Sequence, residues 1–549
     1  MHIDSCTTTR HGKTYRRHLL RTSYREKGKV KKRTLANLSQ CSEEEIAAIR
    51  LALQHKADLS QLGSAKPSVE IKQGLSAGAV LCVYQIAQRL GIVSALGSTR
   101  EGKLALWQVM ARVIDQGSRL SAVRLAQQHA GCEVIGLQGF HEDHLYKNLK
   151  WVWAKQDQIE DRLYRRRYDQ DKPDLLLYDV TSAYLEGQQN ALGAFGYNRD
   201  KKQGKQQIVI GLMCDVEGEP ITVQAFAGNT SDTKTFGSQV KKVAVRFGGG
   251  SITFVGDRGM IKGPQINELR EGNFHFITAL TKPQIEKLLK AGTLQLSLFD
   301  EDVAEVHCQD NTRLILRRNP VRMQEIRATR AAKRHVLEQC VAHQNDYLHD
   351  HAKAKTETAL KKVNAMIRKL KLSWLTVDCR ERTLTLRDHV EARQEIEKLD
   401  GCYAIKTDLL KEHASKQIVH DRYKDLALVE QGFRTSKTAH LEMRPIYVRC
   451  EESTRAHVFI VMLAYKIIRE LTECWKALDL TVEEGLQQLT TLCAQTVTIN
   501  DSQTIFNSIP TPNDALQRLL SAANISIPEA LPKRTAHVVT RKQLSSERK

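Results

Sequence analysis

The sequence has no apolar run long enough to cross a bilayer. Its longest, Val458 to Tyr465, falls far short of a span of about 20 residues, and Arg455 and Lys466 flank it. It also lacks paired cysteines. Twelve are scattered singly from Cys6 to Cys493 with no C-x-x-C, which argues against a zinc site or a disulfide frame and fits reduced thiols inside a cell. No G-x-x-x-x-G-K-[ST] loop is present, and the Gly248-Gly249-Gly250 triplet precedes a strand pattern instead of a helix, so a nucleotide-driven enzyme is set aside. The opening Met1-His2-Ile3-Asp4-Ser5-Cys6 has neither an apolar h-region nor a cleavage site, and a cytoplasmic protein is expected.

What is present in excess is positive charge. A formal net charge of +20 over 549 residues predicts a surface that attracts polyanions, of which DNA and RNA are the usual ones. Charge alone names no reaction. The length calls for two to four domains or large insertions, and an ordinary apolar content argues against wholesale disorder.

The hydropathy pattern changes along the chain. Residues 1–55 form a basic β-type element, with strand-like stretches around Tyr15–Tyr24 and Lys29–Leu35 joined by a turn at Glu26-Lys27-Gly28. A basic-polar linker is expected over roughly His55–Lys72. From 75 to 168 the period is 3.6: Val80, Val83, Tyr84, Ala87 and Leu90 make one stripe, and Trp107, Met110, Ala111 and Ile114 a second. Leu145, Leu149, Val152, Ile159 and Leu163 make a third. With Arg112, Arg119, Arg124 and Lys147 on these helices, the unit reads equally as a DNA-binding module or a plain bundle.

Strands are then predicted at Asp174–Ser182, Gln207–Cys214, Ile221–Ala227, Ser251–Val255 and Phe274–Leu280, with a helix over Lys234–Arg246. Three strands, helix, strand, helix, strand is the order of an RNase H-like α/β core, assigned to 170–280 and 415–475. Residues 281–414 read as a mainly helical insertion before the third acidic residue, with a charge-rich stretch over Met323–Leu370 and short β-type pieces at Leu375–Val377 and Tyr403–Thr407. Residues 476–549 are expected to be a C-terminal helical region with a basic tail from Pro532.

Two strand ends carry isolated carboxylates. Asp179 lies inside Leu175-Leu176-Leu177-Tyr178-Asp179-Val180, where a charge is costly unless paired or metal-bound. Asp257 follows Thr253-Phe254-Val255-Gly256 and precedes Arg258. A single strand-end Asp more often caps a turn or helix, but two on central strands point to metal. A third ligand is expected from a helix over Asp421–Lys437. Relative to Glu430, the offsets of Tyr423, Arg434 and Lys437 rotate by only about 20–40°, so the four share a face, while Leu428, Val429 and Phe433 anchor the helix. Taken alone, Glu430 and Arg434 read as an ordinary surface ion pair. Asn229 and Asp232 read as polar residues at a helix start, with Asp232 or Thr230 as N-cap. His457 reads as a packing histidine outside the catalytic set.

The spacing Tyr423, two residues, Leu426, three residues, Glu430, six residues, Lys437 resembles the Tyr–Arg–Glu–Lys signature of a large group of bacterial insertion-sequence DDE transposases. Leu426 stands where the signature has Arg, and Arg434 occupies the same helix face. Tyr178-Asp179-Val180-Thr181-Ser182, Gly228-Asn229-Thr230-Ser231-Asp232 and Gly256-Asp257-Arg258-Gly259 are similar to the same group, as are Arg444-Pro445-Ile446-Tyr447 and His457-Val458-Phe459. The resemblance covers most of residues 10–470.

It implies a nucleoid-associated enzyme that cuts DNA at terminal inverted repeats and joins the freed 3′-hydroxyl to target DNA, as a homodimer in a synaptic complex. It implies two Mg²⁺ ions, with Mn²⁺ as a substitute, Asp179 as shared ligand, and Asp257 and Glu430 each completing one site. Tyr423, Arg434, Lys437 and Arg258 become DNA contacts, although Tyr423 reads equally as a core tyrosine. The alternatives are an inactive remnant that only binds DNA ends, and an RNase H-like nuclease without strand transfer.

Overall fold

The computed structural model describes residues 1–10, 13–56, 69–169, 172–200, 202–246, 252–437, 441–499, 505–532 and 536–541. The glycine triplet at 248–250, most of the linker and most of the basic tail lie outside the described residues. The first three strands, His2–Arg10 (β1), Lys13–Glu26 (β2) and Lys29–Asn37 (β3), form an antiparallel sheet in that order. The β2–β3 hairpin closes at Lys27 and Gly28, whose φ values of 47° and 79° are those of a turn whose twist matches the strands it joins. Ser42 then starts the helix Glu43–Gln54 through a capping box with Glu45.

Val69–Ser76 (β4), part of the expected linker, is a strand. It pairs with Cys493–Ile499 in the C-terminal region, a partner more than 400 residues away that no local pattern announces. The helical stretch behaves as its stripes predict, with helices Gly78–Arg89, Arg100–Ile114, Arg119–Gln128 and Glu142–Arg167. It is not a free-standing unit, however. These helices surround the apolar helix Glu451–Cys474, and one continuous core joins Val83, Trp107 and Leu149 to Phe459 and to Leu177, Leu212 and Val255 of the sheet. The helical region therefore shares the interior of the α/β sheet.

The central sheet begins with Leu175–Tyr184 (β5), Gln207–Cys214 (β6), Pro220–Ala227 (β7), Thr253–Gly256 (β8) and His275–Ala279 (β9). Their order is β7-β6-β5-β8-β9. The first three are antiparallel, and β5, β8 and β9 run parallel. This is the RNase H-like arrangement. The segment 281–414 extends it with Ala304–His307 (β10) and Arg313–Arg318 (β11), which continue the sheet beyond β9 through Cys402–Thr407. The charge-rich stretch is two helices, Pro320–Asp350 and Thr356–Leu370, packed with the hairpin Leu375–Arg380 (β12) and Thr383–Asp388 (β13) around their own small core. Cys402–Thr407 is β14.

The C-terminal region is not wholly helical, because Cys493–Ile499 (β15) and Ile505–Ser508 (β16) complete the sheet with β4. The helix expected over 421–437 is two, Lys416–Lys424 and Leu426–Lys437. At Asp425 the Leu428 N–H donates to the Asp425 carbonyl at 2.9 Å, a tight turn that interrupts the α-helical ladder. All twelve cysteines are free. Among the described residues no helix is long and apolar enough to cross a membrane.

Candidate active site

Strand parity decides which acids can meet, since alternate residues face opposite sides of a sheet. Leu175, Leu177 and Ala183 face the core that contains Glu451–Cys474, so Asp179, of the same parity, opens on that side. Tyr178 pairs with Gly256 on the parallel neighbour β8, which sets Asp257 beside Asp179 at the strand's exit. Asp257 shares parity with Val255, again on that face. The helix Leu426–Lys437 packs there through buried Val429, Gly432 and Phe433, leaving Glu430 exposed toward the strands. A Cβ on Gly432 would sit 3.3 Å from Leu212 and Tyr465, so the glycine lets the helix lie close to the sheet.

Asp179, Asp257 and Glu430 line one cavity of about 1230 Å³. Burial pushes the Asp179 carboxyl up to about 7, the Val180 N–H at 2.8 Å opposes this, and the Glu430 and Asp257 carboxylates raise it further. Asp257 accepts the Arg258 N–H at 2.8 Å and the Tyr423 hydroxyl at 3.4 Å. Tyr423 is held protonated by burial first and by Asp257 second, so it acts as a donor. The cavity is lined by seven lysines and arginines against four carboxylates, a balance that favours a polyanion.

The other predicted contacts differ in how free they are. Arg258 and Arg434 are exposed at the cavity. Leu426 lines it too, two turns before Arg434. Lys437 is differently placed, because its ammonium donates to Thr181 Oγ1 at 3.2 Å, to the Ser182 carbonyl at 2.8 Å and to Asp200. Those three acceptors match its three donors, so here Lys437 staples the Asp179 strand to the loop that follows it. His457 is buried against Arg119 at 3.2 Å, and burial followed by that arginine and Arg112 keeps it neutral.

Sequence reasoning missed Arg199. Its guanidinium binds both oxygens of Asp232 at 2.7 Å, and the pair lines the cavity. Asp232 is the first residue of the helix Asp232–Arg246, but its carboxylate is turned to Arg199. The cap position falls to Ser231, whose carbonyl accepts the Thr235 N–H at 3.1 Å. The stretch Gly228–Asp232 held a signal for the acid and none for its partner.

Among the described residues no three His, Cys, Asp or Glu side chains converge as a preformed ion cage. Divalent ions of the Mg²⁺ type need no such cage, since they bind through one or two carboxylates and keep waters or substrate phosphates as the remaining ligands. The residues fit that demand: all the donors are carboxylate oxygens, and Asp179 is raised by burial and then by two like charges that a cation would offset.

The sheet order, with one carboxylate inside β5 and another just past the end of β8, defines an RNase H-like α/β protein. A family model described as the transposase DDE domain matches residues 170–467, more than half of the chain, and that of the IS1634 family transposase N-terminal domain matches residues 4–66. The chain belongs to the DDE transposase family: it is a transposase, an enzyme that binds and acts on DNA, in a family that uses divalent metal ions. Among solved structures, a cryo-EM piggyBac transposase synaptic complex with hairpin DNA is similar over 70% of this chain and 69% of that one, at 10% identity and a TM-score of 0.35. No curated protein matches in sequence.

Proposed function

We propose that the chain cleaves DNA at the ends of an insertion sequence and joins the freed 3′-hydroxyl to target DNA, with Asp179, Asp257 and Glu430 as the catalytic acids. The observation that carries this reading is the electrostatic coupling of Asp179 to both other acids inside one cation-rimmed cavity. The three carboxylates would hold two Mg²⁺ ions, or Mn²⁺ in their place, which when bound supply Lewis-acid neutralisation of the transferring phosphoryl group. Asp179, whose carboxyl is raised by both other acids, would be the ligand they have in common.

The remaining groups orient the DNA. Arg258 and Arg434 contact phosphate from either side of the acids, while Tyr423 holds the Asp257 carboxylate in place through its hydroxyl. Lys437 acts on the same strand, fixing Thr181 and Ser182 two and three residues after Asp179. A dimer would bring two DNA ends together, and the basic β1–β3 sheet adds backbone contacts outside the cavity.

The test uses purified protein, Mg²⁺ and duplexes copied from the DNA that borders the gene. Nicked and joined products are expected, and their loss in Asp179→Ala. Normal turnover by Asp179→Ala would sink the assignment. Binding without cutting in either Mg²⁺ or Mn²⁺ would mark an inactive end-binding protein, and cut but never joined DNA would mark a nuclease.

A further inference from the structure

Two arginines of the helical region are turned inward. Arg112, in the last turn of Arg100–Ile114, is 7% exposed, and Arg119, which opens Arg119–Gln128, is 5% exposed. A buried charge is costly unless it is paired. Burial pushes Arg119 down only to about 9 and Arg112 only to about 10, so both stay charged at neutral pH.

Neither has an acid for a partner among the described residues. Arg119 donates through Nε to Gln108 Oε1 at 3.3 Å and through Nη2 to Nδ1 of His457 at 3.2 Å, a histidine that burial keeps neutral. Arg112 donates to the Gln116 carbonyl. With five N–H donors on each side chain, three on Arg119 and four on Arg112 are left over. Asp115 and Glu442 act on Arg112 only from beyond ion-pair distance. Asp115 is exposed and accepts the Ser121 hydroxyl at 2.7 Å, while Glu442 is taken by Arg444 at 2.6 Å. The charged neighbour of Arg119 is Arg112 itself, a like charge.

Both arginines line one small cavity of about 10 Å³, closed by Asp115, Ser118, Ala122 and Ile460 among others. That is room for one particle the size of a water molecule, and a DNA phosphate is too large for it. No nitrogen of either guanidinium is sealed in the interior without a partner, so the spare N–H groups open on this space. The positive end of the helix Arg119–Gln128 lies at the same wall. A water could accept from the arginines, but it brings no charge and turns its own hydrogens toward further donors. A small anion accepts from both guanidiniums and offsets their repulsion.

We propose that this cavity binds one inorganic anion of halide size, held between Arg112 and Arg119 as part of the folded protein. The site is separate from the carboxylate cavity and does not rest on the transposase reading.

The experiment melts the full chain at constant ionic strength while sodium gluconate is exchanged for sodium chloride or bromide. Gluconate is too large for the cavity and screens equally, so a response reports occupancy. The wild type is expected to gain roughly 2 °C or more in melting temperature as halide rises from about 10 to about 200 mM. Arg119→Met keeps an unbranched chain of similar length without the charge, and is expected to lose that gain. Wild-type crystals in sodium bromide are expected to show an anomalous peak between the two guanidiniums. A cavity without that peak would mean water alone and overturn the proposal. So would a wild-type melt indifferent to halide, or an equal gain in Arg119→Met. Should Arg119→Met fail to fold, the bromide peak and the wild-type response decide between anion and water.

Discussion

Two clusters of acids lie within the same α/β unit and are treated in opposite ways. In the helix Glu142–Arg167, Glu160 is fully buried and bonded to Lys242 and Arg246, each at 2.9 Å, with the Thr222 hydroxyl at 3.0 Å. Arg246 also reaches Asp157 and Asp161 at 2.8 and 2.6 Å. At the cavity, Asp179 receives an N–H from the next residue, and no lysine or arginine pairs with Asp179, Asp257 or Glu430 among the described residues. Cations are plentiful there but are held off the acids, Arg199 by Asp232 and Lys437 by Asp200. Acids that serve the fold are neutralised by the fold. Acids left unneutralised in a partly buried site are poised for something brought from outside.

Substitution should separate the two clusters most sharply through activity. Asp179→Ala is expected to lower DNA cleavage on the order of 10³-fold or more, the loss of several kcal/mol of transition-state stabilisation, with no fall in melting temperature. Glu160→Ala is the converse. It takes the fully buried acid from Lys242, Arg246 and the Thr222 hydroxyl while Asp157 and Asp161 still pair the cations, so a loss of about 1–3 kcal/mol of stability is expected, with normal turnover per folded molecule. Parallel thermal melts and cleavage assays check both. A stable but dead Glu160→Ala protein would erase the distinction.

Asp179 should also show the opposite sign in stability. Its carboxyl is raised from 3.8 to about 7, so between those values the folded protein holds the proton more tightly than the unfolded chain. Metal-free stability therefore falls as pH rises through that window and levels off above it. Asp179→Asn removes the penalty and is expected to stabilise the metal-free protein at pH 8 by on the order of 2–4 kcal/mol, while abolishing cleavage. Added Mg²⁺ should raise the melting temperature of the wild type and not of Asp179→Asn. Equal melting temperatures without metal at pH 8 would show that neither burial nor the neighbouring carboxylates raise the Asp179 carboxyl.

The acids were legible because each breaks a pattern. Asp179 interrupts an apolar strand, Asp257 ends one, and Glu430 sits on a helix whose Val429 and Phe433 reveal the buried side. The five core strands were legible for the same reason, since strands buried on both faces read as apolar runs. Arg199 and Asp200 were not, because they lie in an aperiodic loop whose partners, Asp232 and Lys437, are fixed only by the finished fold. The pairing of β4 with β15 and the addition of β10, β11 and β14 to the sheet also depend on tertiary contacts. The break at Asp425 carries neither proline nor glycine, so the periodicity runs across it.

The smallest effect carries the comparison from acids to cations. Arg434 and Lys437 both line the cavity and were read alike from the sequence, but only Lys437 has its donors filled from within. A cation that meets phosphate releases counterions, and each such contact contributes about 0.9 to the slope of log affinity against log salt. Arg434→Ala is therefore expected to lower that slope by about 1 and to weaken binding across DNA sequences without changing the melting temperature. Lys437→Ala should leave the slope nearly unchanged and lower stability instead, because a phosphate could reach that ammonium only by displacing Asp200, Thr181 or Ser182. Fluorescence anisotropy over a salt series distinguishes them. A full unit lost from the slope in Lys437→Ala would mean that DNA does displace Asp200, and that the lysine belongs with the unpaired groups of the cavity.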